Sequence, residues 1–249
     1  MSIVLKSPSE IERMRRAGKI VARVLEELRS LVRPGLTTAM LDIRAREIIA
    51  SEGGAPSFLG YRGFPAAICT SVNDEVLHGI PSQRRLREGD LLKIDVGVEW
   101  GGLHADAAIS VIVGRGSVLA QRLVRATEEA FWAAFSVARV GAHIGDIGAT
   151  IEAVVRQHGF TVVEGYTGHG VGRTLHEEPS VPNWGVPGRG VRLREGMTLA
   201  IEPMVSAGSG ATRVKRDGWT VVTEDGSLAA HYEHTLWISP DGPVVLTCA

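Results

Sequence analysis

Cysteine is scarce in this sequence: Cys69 and Cys248 are its only two, enough for at most one bridge and without the spacing of a metal finger. Free thiols are expected. An excess of either charge is also missing. Lysine and arginine together number 27 against 28 acidic residues, so no overall positive field favours nucleic acid or an anionic membrane as a partner. Long apolar runs are absent too. The opening MSIVLKSPSEIERMRR has no apolar core followed by a small-residue cleavage site, and no later stretch reaches the roughly 18 apolar residues of a membrane span. A cytoplasmic chain with no membrane and no nucleic-acid substrate is expected. What is present is an ordinary globular composition, 249 residues of which 44% are hydrophobic, sufficient for one sizeable core.

Ser7-Pro8-Ser9-Glu10 has the form of a capping box with proline at the first helical position. Apolar residues follow at Ile11, Met14, Ala17, Val21, Val24, Leu28 and Leu31, which predicts a long amphipathic helix stopped near Pro34-Gly35. Arg13, Arg15, Arg16 and Lys19 fall on its solvated face. Residues 37–51, 118–139 and 145–158 also read as helices. LLKIDVGVEW, LHADAAISVIV, MTLAIEPMV and HTLWIS read as strands. The mixture of helices and antiparallel hairpins predicts an α+β architecture with helices covering one face of a curved antiparallel sheet.

Internal repetition is more informative. Arg33-Pro34-Gly35, followed by Leu41 and Ile48-Ile49, recurs as Arg139-Val140-Gly141, followed by Ile147 and Val154-Val155. His78-Gly79-Ile80-Pro81-Ser82 recurs as His176-Glu177-Glu178-Pro179-Ser180. The run from Leu86 to Asp95, LREGDLLKID, recurs from Leu193 to Glu202 as LREGMTLAIE. An acid ends both copies. Two halves related by a pseudo-twofold axis would bring Asp95 and Glu202 to equivalent places near that axis.

Asp95 and Asp106 flank a hairpin signal at Trp100-Gly101-Gly102. A turn at Trp100-Gly101 would set the two aspartates directly opposite, with Cβ atoms about 4.5–5.5 Å apart. A turn at Gly101-Gly102 would leave them on one face but diagonal. Either register aligns two carboxylates, which repel unless a proton or cation intervenes. Glu202 and Glu233 are each a single acid inside an apolar run, and buried carboxylates need partners. His169 sits in Thr167-Gly168-His169-Gly170-Val171-Gly172, where glycines allow close backbone approach to a ligand. No lysine follows as in a phosphate loop. Four carboxylates and one imidazole suit Mn, Fe, Co or Zn in a two-metal hydrolase, where paired cations about 3.5–4 Å apart activate a water. His78 and His176 are left free to meet substrate. His104, His143, His158, His231 and His234 are not repeated in this way and are read as structural.

At this point the chain resembles the type I methionine aminopeptidases, with the duplicated pita-bread fold shared by proline-specific peptidases and creatinase. The resemblance runs through His78-Gly79-Ile80-Pro81, Lys93-Ile94-Asp95-Val96-Gly97, Gly102-Leu103-His104-Ala105-Asp106, Gly168-His169-Gly170-Val171-Gly172, His176-Glu177-Glu178-Pro179, Ile201-Glu202-Pro203 and Tyr232-Glu233-His234-Thr235. It implies one catalytic domain over residues 1–249, with halves at roughly 8–114 and 117–249. It implies two divalent metal ions, one held by Asp95 and Asp106 and the other by Asp106, His169, Glu202 and Glu233, with Asp106 and Glu233 bridging. His78 and His176 would contact the scissile amide, and Glu202 would also shuttle a proton. Tyr61, Phe64, Cys69 and Trp219 would line a methionine pocket. Phe58 and Leu175 depart from the commonest family pattern, cysteine and phenylalanine respectively, and bear on that pocket's shape. The implied activity is removal of the initiator methionine from nascent polypeptides with a small second residue, by a monomer in transient ribosome contact. A binding protein of the same fold without chemistry is opposed by the presence of all five ligands.

Overall fold

The computed structural model describes residues 3–248. Among them, helix α1 spans Pro8–Leu31, α2 Thr38–Ser51, α3 Val118–Val137 and α4 Ile144–Gln157. The expected capping box starts α1: Glu10 N–H donates to Ser7 Oγ, and Glu10 Oε2 accepts from Ser7 N–H at 2.9 Å. The predicted apolar seam is buried, with Met14, Ala17, Val21, Val24 and Leu28 all at 0% exposure. It ends at Leu31, three residues short of Pro34. Arg13 leaves the solvated face to donate from Nη1 to Gly101 O at 2.8 Å, tying α1 to a hairpin tip. Among the described residues, no helix is long and apolar enough to cross a membrane.

A nine-stranded antiparallel sheet runs, from one edge, Ala55–Pro56, Leu91–Trp100, Leu103–Ile112, Glu233–Ser239, Thr198–Ile201, Thr167–Gly170 and Glu177–Pro182. Ile68–Val72 also pairs with Leu91–Trp100, and Gly242–Val245 with Glu233–Ser239. Strand alternation divides the side chains between two faces. Ile94, Val96 and Val98 join the apolar residues of α1 and α2 in one core cluster, while Leu199, Ile201, Leu236 and Ile238 join those of α3 and α4 in another. The other face of the same strands carries Asp95, Asp106 and Glu233.

The sequence repeat is a repeat of backbone hydrogen bonds. Gly35 N donates to Leu86 O at 2.8 Å and Leu86 N to Leu36 O at 2.8 Å; their counterparts are Gly141 N to Leu193 O at 3.0 Å and Leu193 N to Ala142 O at 2.7 Å. Thr37, the N-cap of α2, bridges Arg85 as His143, the N-cap of α4, bridges Arg192. Gly89 and Gly196 both have φ of +85°, a left-handed turn that explains the recurring Glu-Gly. The fold is thus α+β with duplicated halves and helices on one face of a curved sheet.

One predicted strand is divided. MTLAIEPMV forms Thr198–Ile201 in the large sheet and Met204–Ser206 in a three-stranded sheet with Ala229–His231 and Thr161–Val162. Pro203, which has no N–H to donate to a ladder, marks the crossing. The chain crosses between the same sheets at Tyr232, so Glu202 and Glu233 both stand where a strand leaves one sheet for another.

Candidate metal centre and active-site cavity

Five neighbouring strands of the large sheet each bring one candidate ligand to the same place. Asp95 lies on Leu91–Trp100, Asp106 on Leu103–Ile112, Glu233 on Glu233–Ser239, Glu202 at the end of Thr198–Ile201, and His169 on Thr167–Gly170. The hairpin takes the diagonal alternative. Trp100 pairs with Leu103 and Gly97 with Asp106, so Asp95 faces Ala108. Gly101 and Gly102 have φ of +60° and +79°, the positive pair that a two-residue hairpin turn with the strands' twist requires.

Donor atoms of Asp106, His169 and Glu233 all lie within 4.8 Å of one another. His169 Nε2 is 3.5 Å from Asp106 Oδ2 and 3.6 Å from Glu202 Oε1. The ring's other nitrogen, Nδ1, donates to Gly170 O at 2.9 Å, which fixes the tautomer with a bare Nε2 facing the acids. Thr235 Oγ1 sits 2.9 Å from Asp106 Oδ1 and accepts from Asp106 N–H at 3.0 Å, orienting that carboxylate. Asp95 Oδ1 is buried with no hydrogen-bond partner among the described residues.

Burial pushes Asp95 and Glu202 each up to about 8, raises Asp106, and holds Glu233 well above the usual carboxylate range, with the neighbouring acids adding to the shifts of Asp95, Glu202 and Glu233. Four carboxylates buried together cannot all ionise without positive charge among them. An orphaned carboxylate oxygen, an imidazole with its free nitrogen turned inward and clustered acids are the chemistry of a divalent-cation site. The residues fit.

The same centre opens into a cavity of about 200 Å³ whose walls include Tyr61, Phe64, Cys69, His78, His176 and Trp219, with Phe58 and Leu175 beside them. Phe64 and Trp219 meet edge to face at 5.1 Å between ring centroids, and Phe64, Ala66 and Cys69 form a buried apolar cluster against Phe58, Ile80 and Trp219. Burial pushes the Cys69 thiol up, so it is an apolar wall atom rather than a nucleophile. His78 has φ of +57°, a strained backbone position for a residue with a side chain. Its ring stands edge-on to Trp219 and Tyr166. His176 Nδ1 lies 2.9 Å from Tyr61 Oη, and its ring centroid is 4.2 Å from that of His169. Burial lowers His78 to about 4, and burial followed by the neighbouring His169 lowers His176 to about 3.

The loop bearing His176 is stapled from the N-terminal side. Buried Lys6 donates to Glu177 Oε2 at 2.6 Å, and Glu177 Oε1 accepts from Arg173 N–H at 2.7 Å and Thr174 N–H at 3.2 Å. Beneath the acids, buried Lys93 donates to Asn73 O at 2.8 Å; burial brings its ammonium down to about 7.

His231, read from the sequence as structural, lies against the acids of the centre. Its Nε2 is 3.4 Å from Glu202 Oε2 and 3.9 Å from Glu233 Oε2. The available signal was its place two residues before Glu233 in an extended run, which puts both on one face. His234 does point to the other face, where its ring meets Phe131 and Trp132 of α3 and its Nδ1 lies 2.8 Å from Thr247 Oγ1.

A duplicated antiparallel scaffold that gathers four acids and two imidazoles in one centre defines a class of metal-dependent hydrolases. The chain belongs to metallopeptidase family M24, whose family model matches residues 12–240. Among curated proteins it is similar to the methionine aminopeptidase of Clostridium perfringens, 50% identical over 245 residues with 98% of each chain covered. Methionine aminopeptidase 1 of Bacillus subtilis is 45% identical, covering 98% of this chain and 99% of its own. The crystal structure of methionine aminopeptidase from Thermotoga maritima superposes with a TM-score of 0.98 at 46% identity over 100% of both chains. Prolidase from Pyrococcus furiosus, 20% identical with a TM-score of 0.82 over 99% of this chain and 66% of its own, shares the fold.

Proposed function

We propose that this protein removes the N-terminal methionine from new polypeptides, acting as a cytoplasmic monomer on chain termini that emerge from the ribosome. The observation that carries the reading is one cavity that joins a cluster of buried acids to an apolar slot formed by Phe64, Cys69 and Trp219. The named activity of relatives matched along almost the whole chain supports it.

Asp95 and Asp106 would hold one divalent cation, and Asp106, His169, Glu202 and Glu233 a second, with Asp106 and Glu233 shared. Co, Mn, Fe and Zn all suit the donor set. Two such ions, when bound, supply Lewis acidity that activates water and polarises the scissile carbonyl. The protein's own groups do the rest. Glu202 accepts the proton of the attacking water and passes it to the leaving amine. The Tyr61 hydroxyl donates to His176 Nδ1, which leaves the proton on Nε2 to be donated to the developing oxyanion. His78, kept neutral by burial, hydrogen-bonds the amide from the other side. The apolar slot accepts an unbranched thioether, whose burial contributes on the order of 1.5–3 kcal/mol. A free α-amino group limits cleavage to the first bond, and His78, His176 and the Tyr61 loop crowd any large second side chain.

The test is kcat/KM on Met-Ala, Met-Leu, formyl-Met-Ala and Ala-Pro peptides with the manganese and cobalt forms. Met-Ala should exceed each of the others by at least about tenfold, a difference of roughly 1.4 kcal/mol in transition-state binding. A preference for Ala-Pro, or equal cleavage of the formylated peptide, would defeat the assignment.

A further inference from the structure

His231 is 1% exposed, and among the described residues neither of its ring nitrogens has a hydrogen-bond partner. Buried polar groups are nearly always satisfied, and an orphaned imidazole costs the desolvation of its donor and acceptor. Its backbone leaves the ring little freedom. His231 pairs with Met204 across two strands, donates from N to Ser110 Oγ at 3.0 Å and accepts at O from the same hydroxyl at 2.9 Å. The ring is therefore delivered to the acids by rigid strands.

Glu202 lies between two imidazoles. Its Oε1 faces His169 Nε2 at 3.6 Å, and its Oε2 faces His231 Nε2 at 3.4 Å. Among the described residues, the donor atoms close enough to share one ion are those of Asp106, His169 and Glu233, so the cation side of Glu202 is its Oε1 side. His231 stands on the other.

We propose that His231 is a positioning residue for Glu202: its Nε2–H donates to Glu202 Oε2, so that Oε1 alone is presented to a cation and to the reacting water. This rests on the dinuclear-metal reading above. A carboxylate tethered at one oxygen cannot swing to chelate an ion with both, and its free oxygen keeps one direction. The same tether supplies one of the ring's two orphaned nitrogens, Nε2, with a partner.

The test compares the full-length wild type with His231→Gln, whose amide retains an N–H donor of similar reach, and His231→Leu, which keeps the bulk and loses the donor. A third variant, His231→Asn, keeps an amide but stops short of Glu202 and replaces the leucine protein should that one not fold. Cobalt affinity and stoichiometry are read by calorimetry and the ligand field by visible absorption, alongside kcat and KM for a Met-Ala-Ser peptide. Leucine and asparagine should weaken cobalt binding by roughly 10–100-fold, as loss of an outer partner of a metal ligand does, and lower kcat with KM little changed. Glutamine should restore both to within about threefold of wild type, on the same ground. Wild-type affinity and kcat in the leucine or asparagine protein would overturn the proposal. So would a glutamine protein as impaired as leucine, because the imidazole itself would then be needed. A wild type that binds no cobalt would overturn the metal reading as well, a result separable from failure of the variants alone.

Discussion

The buried acids make the metal-free protein sensitive to alkali in a narrow window. A carboxyl group whose folded pKa lies above its unfolded one holds its proton longer in the native state, so its contribution to stability falls as pH rises between the two values. Asp95 and Glu202, raised to about 8, do this between pH 4 and 8, and Glu233, held well above the usual carboxylate range, does the same above pH 4. Below pH 6.5 they are opposed. His78, His231 and His234, lowered to about 4, and His176, lowered to about 3, resist protonation in the folded state and make stability rise with pH up to the ordinary histidine value. Above pH 6.5, where each unfolded imidazole is still half protonated, that opposition fades and is nearly gone by pH 8. Lys93 then offsets at most one proton, because its folded pKa is lowered to about 7 and it gives up its charge early. A net excess of one to two protons on the native state remains, and each is worth roughly 1.4 kcal/mol per pH unit. Chelator-treated protein should therefore lose about 2–4 kcal/mol between pH 6.5 and 8, a large share of a total of roughly 5–15 kcal/mol. Urea denaturation at half-unit pH steps, followed by circular dichroism, measures it. Saturating manganese should abolish the fall, and its addition at pH 7.5 should release protons that calorimetry in two buffers can count. A metal-free protein as stable at pH 8 as at 6.5 would refute the argument, since the carboxylates would then be ionised in the folded state without cations.

Three further outcomes follow from the same geometry. Asp95→Asn and Glu233→Gln should each lose bound metal and activity, because an amide neither neutralises nor bridges cations; two-metal stoichiometry with near-normal turnover in both would remove them from the site. His176→Ala should retain metal while kcat falls by roughly 10²–10³, the usual cost of a lost donor to a developing oxyanion, and an unchanged kcat would make the residue structural. Lys6→Met leaves the largely covered Glu177 carboxylate with its two backbone donors but without its cation, which should cost about 3 kcal/mol in urea denaturation and lower kcat through the loosened His176 loop. Lost stability with kcat intact would confine that staple to folding.

Much of this protein is legible along the chain because its duplication is written there. The Glu-Gly turns at Gly89 and Gly196, the helix starts at Thr37 and His143, and the acid closing each LREG unit recur in order, and each rests on local physics: a positive φ, a cap, a strand of period two. The same locality explains why α1 could be placed from its capping box and apolar seam. Distances along the chain do not carry pairing register or sheet exchange. Both turn positions at Trp100-Gly101-Gly102 satisfied the local pattern, and the choice fell to the Gly101-Gly102 pair, whose positive φ values fit the strands' twist. The strand through Glu202 divides at Pro203 because its second half pairs with the strand ending at His231, far along the chain. That pairing set His231 beside Glu202. A lone histidine in sequence is most simply a structural one; its spacing of two from Glu233 hints at a shared face, but the pairing of two strands that exchange sheets at the same level set it beside Glu202.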